Sequence, residues 1–178
     1  MLDAVRQHAS TKVEQTDLSS ASRLAASYGR ADFGDAFSIE LPESASRDAE
    51  DLARHIFAQP AEWVVMLVGL RDTLVWPLGL KRAVDLAAEG GDRINIFRVF
   101  ERYDGEIILG EDDIHLNFRV SVLVQPASDG RLRRLIVTTL VFHNRLLGRA
   151  YFALIAPFHR AVVRASLDKA QRRGWPIR

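Results

Sequence analysis

Apolar residues along the chain change period several times, and each change marks an element. Phe37, Ile39 and Leu41 alternate with polar neighbours before Pro42, which predicts a short strand. Ala49, Leu52, Ala53, Ile56 and Phe57 then recur at helical spacing. Ser46 is the expected N-cap, with Asp48 and Glu50 suiting the positive end of the helix dipole. Pro60 stops this helix and suits the first position of a second one. The second helix sets Trp63, Leu67, Leu70 and Leu74 on one face and ends at Trp76-Pro77 and Gly79.

Period two then returns. INIFRVFERY and EIILG are joined by Asp104-Gly105, a strong hairpin signal. DIHLNFRVSVLVQ and RLRRLIVTTLVFHN follow, separated by a polar PASDG loop and rich in β-branched residues. From Leu146 to Arg173 the pattern is helical again. The first half of this helix is apolar nearly all round, and the second carries a basic face with Arg160 and Arg164. Pro157 within it is expected to bend it near Ala153, whose carbonyl loses its partner.

The order of strand, two helices, several antiparallel strands and one long helix defines an α+β chain. A curved antiparallel sheet with one apolar face has to be covered, and only the C-terminal helix is long and apolar enough to do it. That order is the one of a helix-grip fold, a sheet wrapped around its last helix. Residues 31–173 are expected to form the single domain. Residues 1–30 are expected to be a weakly structured extension, with a short helix ending at Gly29. Residues 174–178 are read as a tail.

Composition narrows the function classes. At 178 residues the chain has the length of one domain and can bury a sizeable core. Lys plus Arg (24) nearly cancels Asp plus Glu (23), and the basic residues are scattered without interleaved aromatics, which argues against nucleic acid as a partner. With no cysteine there is no disulfide, no thiolate catalysis and no cysteine-held zinc; a reducing cytoplasm is the expected location. MLDAVRQHASTKVEQ lacks the apolar core of a secretory signal. Charges interrupt WVVMLVGLRDTLVWPLGL and LLGRAYFALIAPFHRAVV, so both are expected as buried helices and not as membrane spans.

Candidate chemistry gathers first in LGEDDIHLNFRVSV, Leu109 to Val122. Read as one strand, it puts Glu111, Asp113, His115, Asn117, Arg119 and Ser121 on one face and Ile114, Leu116, Phe118, Val120 and Val122 on the other. If the apolar row faces the core, the polar row faces water and GEDD is a turn or bulge. If a bulge at Gly110 to Asp113 shifts the register, the acids rim a cavity mouth instead. His115 with Asp113 or Asp112 would then be an acid/base pair, because a carboxylate fixes the imidazole tautomer. No third ligand stands at metal-site spacing, so no metal is expected. No Gly-rich phosphate loop or Gly-x-Ser-x-Gly elbow points to a cofactor or a serine nucleophile. His143-Asn144 ends the next strand. His159 falls on the mostly apolar helix face of Phe152, Ile155 and Val163, as either a satisfied core histidine or a ligand contact. Arg71-Asp72 interrupts an apolar helix, as a half-buried ion pair or as an anchor for an anionic ligand.

Five blocks, ADFGDAFSIELP, LRDTLVWPLGLK, LGEDDIHLNFRVSV, VTTLVFHNRLLGRAY and IAPFHRAVVRASL, together resemble a bacterial family catalogued as a domain of unknown function (DUF2867) and grouped with the START-like, SRPBCC polyketide-cyclase superfamily. The resemblance covers residues 31 to 170. It implies the helix-grip fold and a ligand held between sheet and helix, and it implies no reaction. Three readings follow. The preferred one is a binder of a hydrophobic or aromatic small molecule, lined by Trp63, Arg71, Phe118, Tyr151, His159 and Val163. The second is a cyclase, dehydratase or hydrolase using His159 or His115 with Asp113 or Asp112. The third is a homodimeric or partner-binding module.

Overall fold

The computed structural model describes residues 12–60, 62–66, 91–128 and 132–177. The expected helix positions Leu67, Leu70, Leu74, Trp76-Pro77 and Gly79, and the candidate Arg71, lie outside the described residues. Strands form at Glu14–Thr16 (β1), Phe33–Glu40 (β2), Arg93–Ile94 (β3), Phe97–Tyr103 (β4), Glu106–Asp112 (β5), Leu116–Gln125 (β6) and Arg134–His143 (β7). A 3-10 helix covers Arg23–Arg30, α1 covers Ala49–Phe57, and α2 covers Leu146–Arg172. The strands make one seven-stranded sheet in the order β1-β2-β7-β6-β5-β4-β3, and every neighbouring pair is antiparallel. The α+β class holds, with α2 as the C-terminal helix.

Both faces of this sheet are covered. On the first, Phe37 and Ile39 of β2, Ile107 and Leu109 of β5, Val120 and Val122 of β6, and Leu135 and Val137 of β7 meet Leu52, Ala53 and Ile56 of α1 and Leu167 and Ala170 of α2. Each of the Val, Leu, Ile and Phe side chains contributes roughly 1.5–3 kcal/mol relative to exposure. On the second face, Ile108 and Leu140 pack with Leu24, Leu18, Tyr28, Phe100 and Phe142. Residues 18–31 therefore lie over the outer face, while β1 extends the sheet at its edge. The runs EIIL and LIVTTLVF carry apolar residues on both faces because both are buried.

A buried carboxylate holds that N-terminal segment down. Glu106, 3% exposed, accepts hydrogen bonds from Ser22 Oγ (2.6 Å), the Arg23 N–H (2.9 Å) and Ser121 Oγ (2.5 Å). Ser22 also caps the 3-10 helix, its Oγ accepting from the Leu24 N–H at 3.1 Å. Tyr28 donates to the Ser19 carbonyl at 2.8 Å, and burial pushes its phenol above the ordinary value. Gly29 does not end this helix, which runs on through Arg30.

Local departures from the sequence reading have local causes. The N-cap of α1 is Asp48 and not Ser46: Asp48 Oδ1 accepts from the Glu50 N–H at 2.8 Å, while Ser46 Oγ accepts from the Asp48 N–H. INIFRVFERY is two strands, because Asn95 takes φ 56° and turns the chain between β3 and β4. The Asp104-Gly105 hairpin is present, with Gly105 at φ 75°. The bulge lies between Val99 and Glu101 on β4; β5 and β6 pair in register through Gly110, Glu111 and Asp112.

α2 is, by length and composition alone, the one described helix that could cross a membrane. Phe152, Leu167 and Ala170 on its inward side are buried in the clusters against the sheet, while Leu146, Leu154 and Phe158 are exposed.

Candidate site between the sheet and the C-terminal helix

LGEDDIHLNFRVSV is a hairpin, not a strand. Glu111 and Asp112 end β5, residues 113–115 turn, and Leu116 opens β6. The expected single polar row does not exist, because a turn resets the alternation. Glu111 pairs with Phe118 and sits on the α2 side, buried and bonded to Arg93 Nη1 at 2.7 Å. Asp112, Asn117, Arg119 and Ser121 sit on the outer side. There Asp112 and Arg119 form an ion pair at 2.8 Å, and the Arg119 guanidinium lies 3.7 Å from the Phe100 ring centre. Ser121 is fully buried under the N-terminal segment, so that end of the face is shielded from water, while Asp112 at the other end is exposed.

The proposed His115 pair is not formed either. Asp113 Oδ1 accepts from the backbone N–H of His115 at 3.0 Å, a turn contact, and Asp112 is committed to Arg119. Both ring nitrogens of buried His115 lack a hydrogen-bond partner. Its carbonyl is the used group, accepting from the N–H of Asn144 (3.0 Å) and Arg145 (3.2 Å) at the start of α2.

The polar pair facing the sheet-helix space comes from elsewhere. On β2 the alternation Phe33, Asp35, Phe37, Ile39 sets one acid in an otherwise apolar row directed at α2. Asp35 pairs across with Thr139 of β7 and its side chain is 2% exposed. His159 of α2 brings Nε2 to 3.3 Å from Asp35 Oδ1. Among the described residues Asp35 Oδ2 has no hydrogen bond, and Arg160 brings Nε to 3.8 Å from it.

Aromatic rings frame the pair. Phe33 and Phe152 pack with ring centres 4.8 Å apart, and His159 lies 6.0 Å from Phe33 and 6.4 Å from Phe152. His143, at the end of β7, lies 5.7 Å from Phe152. Its Nδ1 is 3.6 Å from Asp32 Oδ2, and its buried Nε2 has no hydrogen-bond partner. The Arg160 guanidinium sits 5.7 Å from the Phe33 ring centre.

Of the residues expected to line a site, Phe118 and Tyr151 join the cluster of Phe33, Val141, Leu116 and Phe152, which His159 borders. Val163 packs half-buried one turn further along α2, against the main core. Trp63 is 40% exposed in the helical stretch 62–66. Sequence reasoning missed Asp35, Asp32, Phe33 and Phe152 as a unit. The signal was present for Asp35, had the strand been begun at Phe33 instead of Phe37. Among the described residues no group of three or more His, Asp or Glu side chains could hold a metal ion.

This arrangement lies within the region that a known family shares: the family described as "Protein of unknown function (DUF2867)" matches residues 27–166. The chain belongs to that family. No curated protein and no solved structure matches it. The DUF2867 match runs from the end of the 3-10 helix to residue 166 of α2, so it includes Asp35, Glu106, Glu111, His143 and His159.

Proposed function

We propose that this DUF2867 chain is a helix-grip protein of the START-like, SRPBCC type. In this reading it binds a hydrophobic or aromatic small molecule between the sheet and the first half of α2. The observation that carries the proposal is Asp35: a buried carboxylate with one oxygen on His159, whose ring lies near Phe33 and Phe152, and the other without a hydrogen bond. A buried acceptor left unsatisfied costs about 1–3 kcal/mol, which a ligand group can recover. Apolar walls with a few placed polar groups are the usual make-up of a small-molecule site. The absence of cysteine supports a cytoplasmic location.

Native mass spectrometry of protein purified from its own host, against the same sample denatured, tests this. A small molecule released on unfolding is the expected result. A bare chain in every preparation, together with no binding of added aromatic compounds, would sink the proposal.

The same pair supports a second reading. His159 within hydrogen-bond reach of a carboxylate is the geometry of an acid/base group with its orienter. An enzyme of cyclase, dehydratase or hydrolase type would use His159, with Asp35 in the role first given to Asp113 or Asp112. A homodimer or partner contact would instead use the exposed Leu146, Leu154 and Phe158 of α2, and a dimer mass in the native spectrum reads that outcome.

A further inference from the structure

We infer that the ligand meets Asp35 with a hydrogen-bond donor, a hydroxyl or amino group on an apolar body, and not with a carboxylate. The inference rests on the binding reading above and names the chemistry of the ligand's polar end. Asp35 Oδ2 is buried and lacks a hydrogen bond, and His159, which holds the other oxygen, lies 6.0 Å from the Phe33 ring and 6.4 Å from Phe152. A carboxylate oxygen only accepts. Asp35 Oδ2 therefore asks for a donor.

The surroundings agree with that demand. Among the described residues the cation facing Asp35 Oδ2 is Arg160, whose side chain is half exposed and whose Nε stays at 3.8 Å, beyond hydrogen-bond range. Its guanidinium already lies near the Phe33 ring, 5.7 Å from the centre, so this wall accepts a positive group. A ligand carboxylate would bring acceptor against acceptor and negative against negative, with little water to screen them. A hydroxyl or ammonium would complete Oδ2 while its apolar body covers Phe33 and Phe152.

The test is an NMR titration of the full chain with three probes of related skeleton: 2-phenylethanol, 2-phenylethylamine and phenylacetate. The alcohol and the amine are expected to shift the amide signals of Phe33 to Asp35 and of Phe152 to His159, and to bind on the order of tenfold more tightly than phenylacetate. In Asp35→Asn, which removes the charge and one acceptor oxygen, that preference is expected to vanish; should this variant not fold, Asp35→Ala, which removes the acceptor altogether, is read for the same loss. Phenylacetate binding as well as the other two would overturn the donor inference and leave the binding reading standing. No shift at these residues with any probe at millimolar concentration would overturn the binding reading, and the inference with it.

Discussion

His159 Nε2 lies 3.3 Å from Asp35 Oδ1 and ties the C-terminal helix to the second strand of the sheet. Asp35 is almost wholly buried, so removing its partner leaves a carboxylate with no hydrogen bond at either oxygen. His159→Ala is expected to lower stability by about 1–3 kcal/mol in urea unfolding. Asp35→Asn removes the charge that makes the loss costly, so His159→Ala should cost less in that background, and the double-mutant cycle reads the coupling. Equal losses in both backgrounds would show that the two side chains do not act as a pair.

Glu106 gathers three donors from two regions of the chain, Ser22 and Arg23 on one side and Ser121 on the other. Glu106→Ala strands two hydroxyls and an N–H beneath the N-terminal segment. A loss of about 2–4 kcal/mol is expected. Amide exchange at Leu24 to Arg30 should rise more than exchange in β6 and β7, because the 3-10 helix loses its anchor while the strands keep their ladders. Uniform exchange would argue against Glu106 as a local clasp. Glu106→Gln keeps one acceptor oxygen and is expected to restore part of the protection.

Gly148, in the first turn of α2, faces the carbonyl of His115. A Cβ added there would lie 2.1 Å from that oxygen, which is backbone and cannot swing away. Gly148→Ala therefore has to push the helix start off the β5–β6 turn and break the Asn144 and Arg145 bonds to the same carbonyl. The expected loss is on the order of 3 kcal/mol, against the small gain that Gly→Ala normally brings inside a helix. A melting temperature equal to that of the parent chain would refute the close approach.

Tyr28 sets the alkaline behaviour. Burial is the main reason that its phenol is raised above the ordinary value of 10.0, with Glu106 adding to it and the neighbouring hydroxyls of Ser22 and Thr138 opposing. A group raised in the folded state contributes stability that is complete below its unfolded value and is lost as pH climbs toward the folded one. Stability is thus expected to fall as pH rises past 10.0, and Tyr28→Phe should flatten that fall. Tyr28→Phe should also cost about 1 kcal/mol at neutral pH through the lost bond to the Ser19 carbonyl. Parallel stability curves for the two proteins above pH 10 would rule this out.

The inward face of α2, on which His159 was expected, was legible in the one-dimensional pattern. A helix has a fixed angle per residue, so Phe152 and Val163 already say which side of α2 faces inward. His115 failed for the complementary reason. Alternation is a reliable guide only while a strand continues, and residues 113–115 turn, which put Glu111 and Ser121 on opposite sides of the sheet. The two acids beside His115 in sequence went to a turn and to Arg119, and the acid that reaches a functional candidate is 124 residues from it.

By itself the sequence determined the period changes that mark α1, β5, β6, β7 and α2, the Asp104-Gly105 hairpin, the α+β class and the inward face of the last helix. These follow from steric and solvation properties of neighbouring residues, which act over a few positions. Only the tertiary structure decided that residues 18–31 cover the outer face, that Glu106 holds them there, and that Asp35 is the partner of His159. Those outcomes depend on the register of β2 against β7 and on the seating of α2 over that edge. Buried polar atoms then take whichever partner the packing brings within 3 Å or so, and sequence distance has no part in that choice.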